Sequence, residues 1–191
     1  ANPLANPTLQ LLSGQTVLGS NDDWGQAANA AAITSSGYAP SNALESAILV
    51  TLNPGAYTAI VSGSAGATGV GIIEAFEVDV PASPLSNLSA RGQVGTGNDV
   101  MIGGFVIQGT AAQTVVVRAR GPSLAASGVT GVLANPSLQL LSGSTVLATN
   151  DDWGQAANAA AITTSGFAPG DANESAILIT LNPGAYTAIV S

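Results

Sequence analysis

The sequence predicts an all-β fold, an antiparallel β-sandwich of jelly-roll-like character with one short alanine-rich helix per repeat. Three observations carry this reading. Twelve short segments are rich in β-branched and apolar residues: 8–12, 15–20, 46–52, 56–62, 70–79, 87–94, 100–108, 113–120, 137–141, 144–149, 175–181 and 185–191. Turn-forming residues separate them, in a chain with 23 Gly and 10 Pro. Helical character is confined to one stretch in each copy of an internal repeat. Closed barrels and β-helices are the rival architectures; a β-helix would need a short rung period, which is missing.

In chain order, Ser13-Gly14 reads as a tight hairpin between the first two segments, and Ser142-Gly143 as its later equivalent. Gln26–Ile33 and Gln155–Ile162 contain no Pro or Gly and are the helical stretches, with Asp23 and Asp152 placed to cap their open amides. At about two turns such a helix needs tertiary support, and it is expected to plug one end of the sandwich. Asn53-Pro54-Gly55 and Asn182-Pro183-Gly184 read as type II turns. Tyr57 and Tyr186 follow them, where a hydroxyl can anchor the corner. Val70–Asp79 alternates imperfectly, with Glu74 on its apolar face. Thr114–Arg120 alternates better: Val115, Val117 and Ala119 face one way, Val116, Arg118 and Arg120 the other. Gly121-Pro122-Ser123-Leu124 reads as a short 3₁₀ turn.

Residues 4–62 recur at 133–191 with ten differences, an offset of 129. That period is domain-sized and longer than common solenoid units. The organisation expected is residues 1–80 as the C-terminal part of one unit and 81–191 as most of the next, lacking its last strand. The sequence opens at Ala1 without Met or a signal peptide, which reads as a mature product or a segment of something longer; the repeat favours the second. The second copy stops at Ser191 with no counterpart of Gly63–Val80 after it. One half-unit is therefore expected to expose a sheet edge that invites pairing with another chain.

Composition excludes several functions. There is no Cys and no His, so thiol chemistry, imidazole bases and the common zinc and haem sites are absent. The formal charge is −8, and the cations are Arg91, Arg118 and Arg120 alone. Nucleic acid or an anionic membrane would need a positive surface. No run of 18 apolar residues exists to span a bilayer. Catalysis is not expected, since no His or Lys can activate the many hydroxyls. The arginines are expected to pair with carboxylates such as Glu74, Glu77 and Asp99.

The acids cluster. Asp22, Asp23 and Glu45 in the first copy, and Asp151, Asp152, Asp171 and Glu174 in the second, are the candidate metal ligands. Hard oxygen donors of this kind suit Ca²⁺, although the alternating EF-hand spacing is absent. The competing reading makes Asp22 and Asp23 an Asx turn and helix cap, and Glu45 and Glu174 surface or paired charges. Trp24 and Trp153 directly follow the acidic pairs; each either stacks on a sugar or closes the end of a core.

The motifs Leu88–Arg91, Gly95–Phe105, Arg118–Leu124 and Leu133–Gly154 resemble a repeat of large bacterial surface and secreted proteins. Pro54–Thr58 through Gly71–Phe76 is similar to bacterial pre-peptidase C-terminal β-sandwich domains. The resemblance implies an extracellular or cell-surface setting and accessory, adhesive or spacer roles. Some relatives of the second type bind Ca²⁺ through loop acids, here Asp22, Asp23, Asp151 and Asp152. The expected function is a structural module of an extracellular fibre or surface layer, a homo-oligomer or head-to-tail polymer built by strand complementation. The alternative is a Ca²⁺-dependent adhesion or carbohydrate-binding module with a glycan partner.

Overall fold

The computed structural model describes residues 2–79 and 85–191 and contains two compact units, Ala1–Leu88 and Ser89–Ser191. The expected boundary between residues 80 and 81 lies outside the described residues. Both units are built from antiparallel strands with few short helical turns, so the all-β class holds.

In the first unit, β1 (Pro7–Ser13) sits between β2 (Thr16–Asn21) and β3 (Thr58–Gly63) in a three-stranded sheet. Gly14 turns the β1–β2 hairpin at φ 58°, a left-handed conformation that glycine adopts without a Cβ clash. A 3₁₀ turn, Trp24–Gln26, precedes α1 (Ala30–Ser35), whose Ile33 is buried.

In the second unit, β4 (Met101–Ile107), β9 (Gly184–Val190), β6 (Leu138–Ser142) and β7 (Thr145–Asn150) form one sheet in the order β4-β9-β6-β7. The other layer is β5 (Gln113–Ala119) paired with β8 (Ser175–Leu181). Leu138 and Leu140, Tyr186 and Ala188, and Ile107 from the first layer meet Ala119, Ile177 and Leu181 from the second in one apolar core. Val115 and Val117 pack against this core beside buried Ala119, as their alternation predicts, while Arg118 and Arg120 are exposed. A second 3₁₀ turn, Trp153–Gln155, leads into α2 (Ala159–Thr164), with Ile162 fully buried.

Both helices begin four residues later than the alanine pattern predicts. Asp23 and Asp152 cap no amide; each accepts a hydrogen bond from the side chain of Gln26 or Gln155 at 2.6 Å. Asn29 and Asn158 occupy the positions before the helices, and their side chains donate to the carbonyls of Leu49 and Leu178 instead. Tying the helix start to the next segment of the sandwich thus outcompetes local capping. Gly55 does not take a positive φ, so the expected type II turn is not formed there. The corner is held by the hydroxyl of Tyr57, which donates to Asn53 O at 2.7 Å, and by Tyr186 on Asn182 O at the same distance. Tyr186→Phe is expected to cost about 1 kcal/mol, the net worth of one such bond, measurable by urea unfolding.

Three expected strands are missing. Residues 46–52, 71–79 and 87–94 run without a ladder, and Val70 makes a single parallel bridge to Pro3. Residues 71–79 carry apolar side chains on both faces, yet Ile72 is 82% exposed. Phe76 instead stacks on Tyr38 at 4.3 Å. An alternating pattern makes a strand only where an edge is available to receive its backbone groups.

Candidate functional site

The segment 46–52 differs from β8 at one position, Val50 for Ile179, yet only β8 is a strand. The loops that deliver the two segments are the same. Trp24 N donates to Glu45 O and Trp153 N to Glu174 O, each at 2.9 Å. Asn21 Oδ1 accepts from Ala47 N, and Asn150 Oδ1 from Ala176 N, again at 2.9 Å. Ser46 and Ser175 both donate to the proline carbonyl, Pro7 or Pro136, at the head of the facing strand. Local sequence therefore positions both segments equally.

What differs is the partner. In the second unit β5 lies along β8 in the register Val115↔Ile179, Val117↔Ile177 and Ala119↔Ser175. The adjacent β4 lies along β9, pairing Phe105 with Tyr186, whose rings stack at 5.5 Å. Among the described residues of the first unit no strand takes these places. The consequence is exposure: Leu52 is 39% exposed where its counterpart Leu181 is 5%, and Val50 is 48% exposed. A groove of about 720 Å³ lies beside β1, β2 and residues 47–49, where Asn21, Asp22, Asp23 and Gln26 line it together with Leu9 and Ile48. Its counterpart in the second unit, about 430 Å³ beside Leu138, Asn150 and Asp152, is present with β5 in place, so the groove does not depend on a missing strand. The candidate site is the partly exposed, unladdered segment 46–52.

Glu174 shows what closes such a layer. Its side chain is fully shielded from water, and Oε1 accepts from Gly121 N at 2.8 Å, Ser123 N at 3.0 Å and Ser123 Oγ at 2.6 Å. Arg120 donates to the same hydroxyl from Nε and Nη2, at 3.1 and 2.9 Å. The turn after β5 is thus fastened to the loop before β8. Gly121 is required there, since a Cβ would meet Leu133 O at 2.0 Å. Burial pushes the Glu174 carboxyl up, but the hydrogen bonds from Ser123 and Gly121 outweigh it, with a smaller pull from the Asp171 N–H, and hold it below its ordinary value. Glu45 has no such turn to grip and accepts from Asn42 N at 3.3 Å.

The arginines do not take the expected carboxylates. Arg118 donates to Phe167 O and lies 5.9 Å over its ring. Arg120 reaches Glu174 through Ser123. Glu77 accepts from Leu85 N.

The proposed Ca²⁺ ligands, Asp22, Asp23, Glu45, Asp151, Asp152, Asp171 and Glu174, are not brought together. Among the described residues no group of three or more acids converges. Ca²⁺ needs six to eight oxygens; several of these carboxylate oxygens accept from N–H donors, while Asp23 Oδ1 and Glu174 Oε2 are buried without a partner among the described residues. Asp23 and Asp152 hold glutamine amides, Asp151 accepts from Asn135, and Glu174 Oε1 is spent on the turn. Asp171 accepts from Asn173 N in an Asx turn, as Asn42 does from Leu44 N, so Asn and Asp serve equally there. Trp24 and Trp153 are half-buried, and their indole N–H groups donate to Asn42 O and Asp171 O. Each indole therefore fastens the two loops together, a structural use of the ring.

Ser123 and Gly121 were not singled out by the sequence as site residues. No local signal ties them to Glu174, 51 and 53 residues away; the one available hint was that the same glutamate stands at this position, Glu45 or Glu174, in both copies. No family model matches the chain, and no match was found among curated proteins or solved structures.

Proposed function

We propose that the protein is a structural module of an extracellular bacterial fibre or surface layer, assembled from repeated β-sandwich units by strand complementation. One observation supports this most: two nearly identical segments, 46–52 and 175–181, form a strand only where a β5-type partner is present. An apolar layer left open in water favours association, because covering it removes hydrocarbon surface from solvent. The scarcity of charge, 7% of residues, leaves little repulsion to prevent close packing. The extracellular setting rests on the likeness to bacterial surface repeats.

Purified chain is expected to form filaments or oligomers with a regular axial repeat, seen by negative-stain electron microscopy and by sedimentation that shifts with concentration. Monodisperse monomers at all concentrations would overturn the assembly role.

A further inference from the structure

We infer that the outward face of the four-stranded sheet β4-β9-β6-β7 is a contact surface for a second copy of this chain, the two faces packing sheet against sheet. The inference deepens the assembly reading and rests on it for its biological meaning. Its geometry stands on the closed side of the second unit, where every strand has its ladder partner.

The pairing registers fix which side chains point out. Phe105, Tyr186, Leu138 and Leu140 face the core. Their alternates therefore face away from it: Ile102, Gly104 and Val106 in β4, Ile189 in β9, Leu141 in β6 and Val146 in β7. Ile102 and Val106 are 62% and 64% exposed. The segment that follows this sheet does not cover the face. In the first unit residues 64–79 are in place, yet Ile60, the counterpart of Ile189, remains exposed, while Val70 bridges Pro3 and Phe76 stacks on Tyr38.

Two observations select a second copy as the occupant. The first is charge. The chain carries −8, so its copies repel except where the meeting surfaces hold no charge. The four strands contain none of the chain's 3 basic and 11 acidic residues. The second is Gly104, which lies in the interior of a strand that glycine weakens. It takes no positive φ, and a Cβ there would meet nothing nearer than Tyr186 O at 3.8 Å. The unit's own packing gives no reason for a glycine, whereas close approach of another backbone from outside does.

Area sets the strength. Four strands about 4.8 Å apart and about six residues long present roughly 400 Å² per copy. Two copies then bury about 800 Å², below the roughly 1,200 Å² at which stable interfaces begin. One contact is therefore weak and reversible. The first unit repeats the outward positions at Leu12, Val17 and Ile60, so each chain carries two such faces and can hold two neighbours.

The test is sedimentation velocity of the full chain at stepped concentrations, in which reversible association is expected. Val106→Lys should weaken it at least about tenfold, because a charge would be buried against the partner copy. The same change lowers the net charge, so general repulsion acts in the opposite sense. Gly104→Thr should weaken association about fivefold or more by holding the faces apart, yet leave the second unit at least as stable to urea, since threonine suits a strand better. Urea midpoints read at Trp153 separate misfolding from loss of contact. Thr114→Lys, exposed on the other layer, should leave association at the parent's level. The chain has no cysteine, so oxidation should cross-link Thr187→Cys copies and spare Thr114→Cys copies. A parent that stays monomeric at every concentration, or association of Val106→Lys and Gly104→Thr equal to the parent's, would overturn the inference. Reversible association without filaments would leave the face standing and remove the fibre role, while filaments formed equally by both variants would do the reverse.

Discussion

Replacing Glu174 with alanine is expected to destabilise the second unit by about 3 kcal/mol, whereas Glu45→Ala should cost the first unit less than about 1 kcal/mol. The two residues occupy equivalent positions in the repeat, but only Glu174 is closed over by a turn. Alanine at 174 would leave the N–H groups of Gly121 and Ser123 buried without an acceptor, together with the Ser123 hydroxyl. Hydrogen bonds to a charged group are worth about 1.5–3 kcal/mol each, but three sharing one oxygen do not add in full. The chain offers its own reporters, because each unit has a single tryptophan, Trp24 or Trp153. Urea unfolding in a Trp24→Phe background follows the second unit, and Trp153→Phe follows the first.

Acid gives the same site a second signature. The folded Glu174 carboxyl titrates below its ordinary value near 4.5, so the folded state binds its proton less readily than the unfolded chain. Its contribution is fully present above that value and is lost as pH falls through the lower, folded one. Glu174→Gln is expected to flatten the decline of second-unit stability below about pH 4.5, read from urea midpoints at stepped pH. A decline as steep in the variant as in the parent would mean that another carboxylate sets the acid limit.

The sequence carried the sandwich's strands but not their pairing. Segments bounded by Gly, Pro and Asn and alternating apolar with polar became strands wherever an edge was available, as 113–119 and 175–181 did. The failures at 46–52 and 71–79 are not failures of pattern, since 46–52 has nearly the sequence of β8. They arise because a ladder is a property of two segments, and propensity speaks for one. The corner tyrosines were legible because their acceptors lie four residues away. The acids were misleading for the opposite reason. Adjacent carboxylates look like a ligand set in a linear reading, while their donors, Asn135 and the Gly121–Ser123 turn, come from elsewhere in the chain.

Truncating the same leucine in each repeat measures how much of the sandwich the first unit possesses. Leu140→Ala is expected to cost the second unit about 4 kcal/mol, within the range for large-to-small changes at fully buried sites. Leu140 is 0% exposed and packs between the two layers with Leu138, Ile177 and Ala188. Its counterpart Leu11 lies in β1 with the same neighbours in sequence but is only partly buried. Leu11→Ala should therefore cost about 1–2 kcal/mol, since water already reaches its surroundings and the vacated space can relax or fill. The measurement is urea unfolding in the single-tryptophan backgrounds. Equal costs for the two leucines would show that Leu11 already stands in an interior as closed as that around Leu140, and the reading of its surroundings as water-accessible would fail.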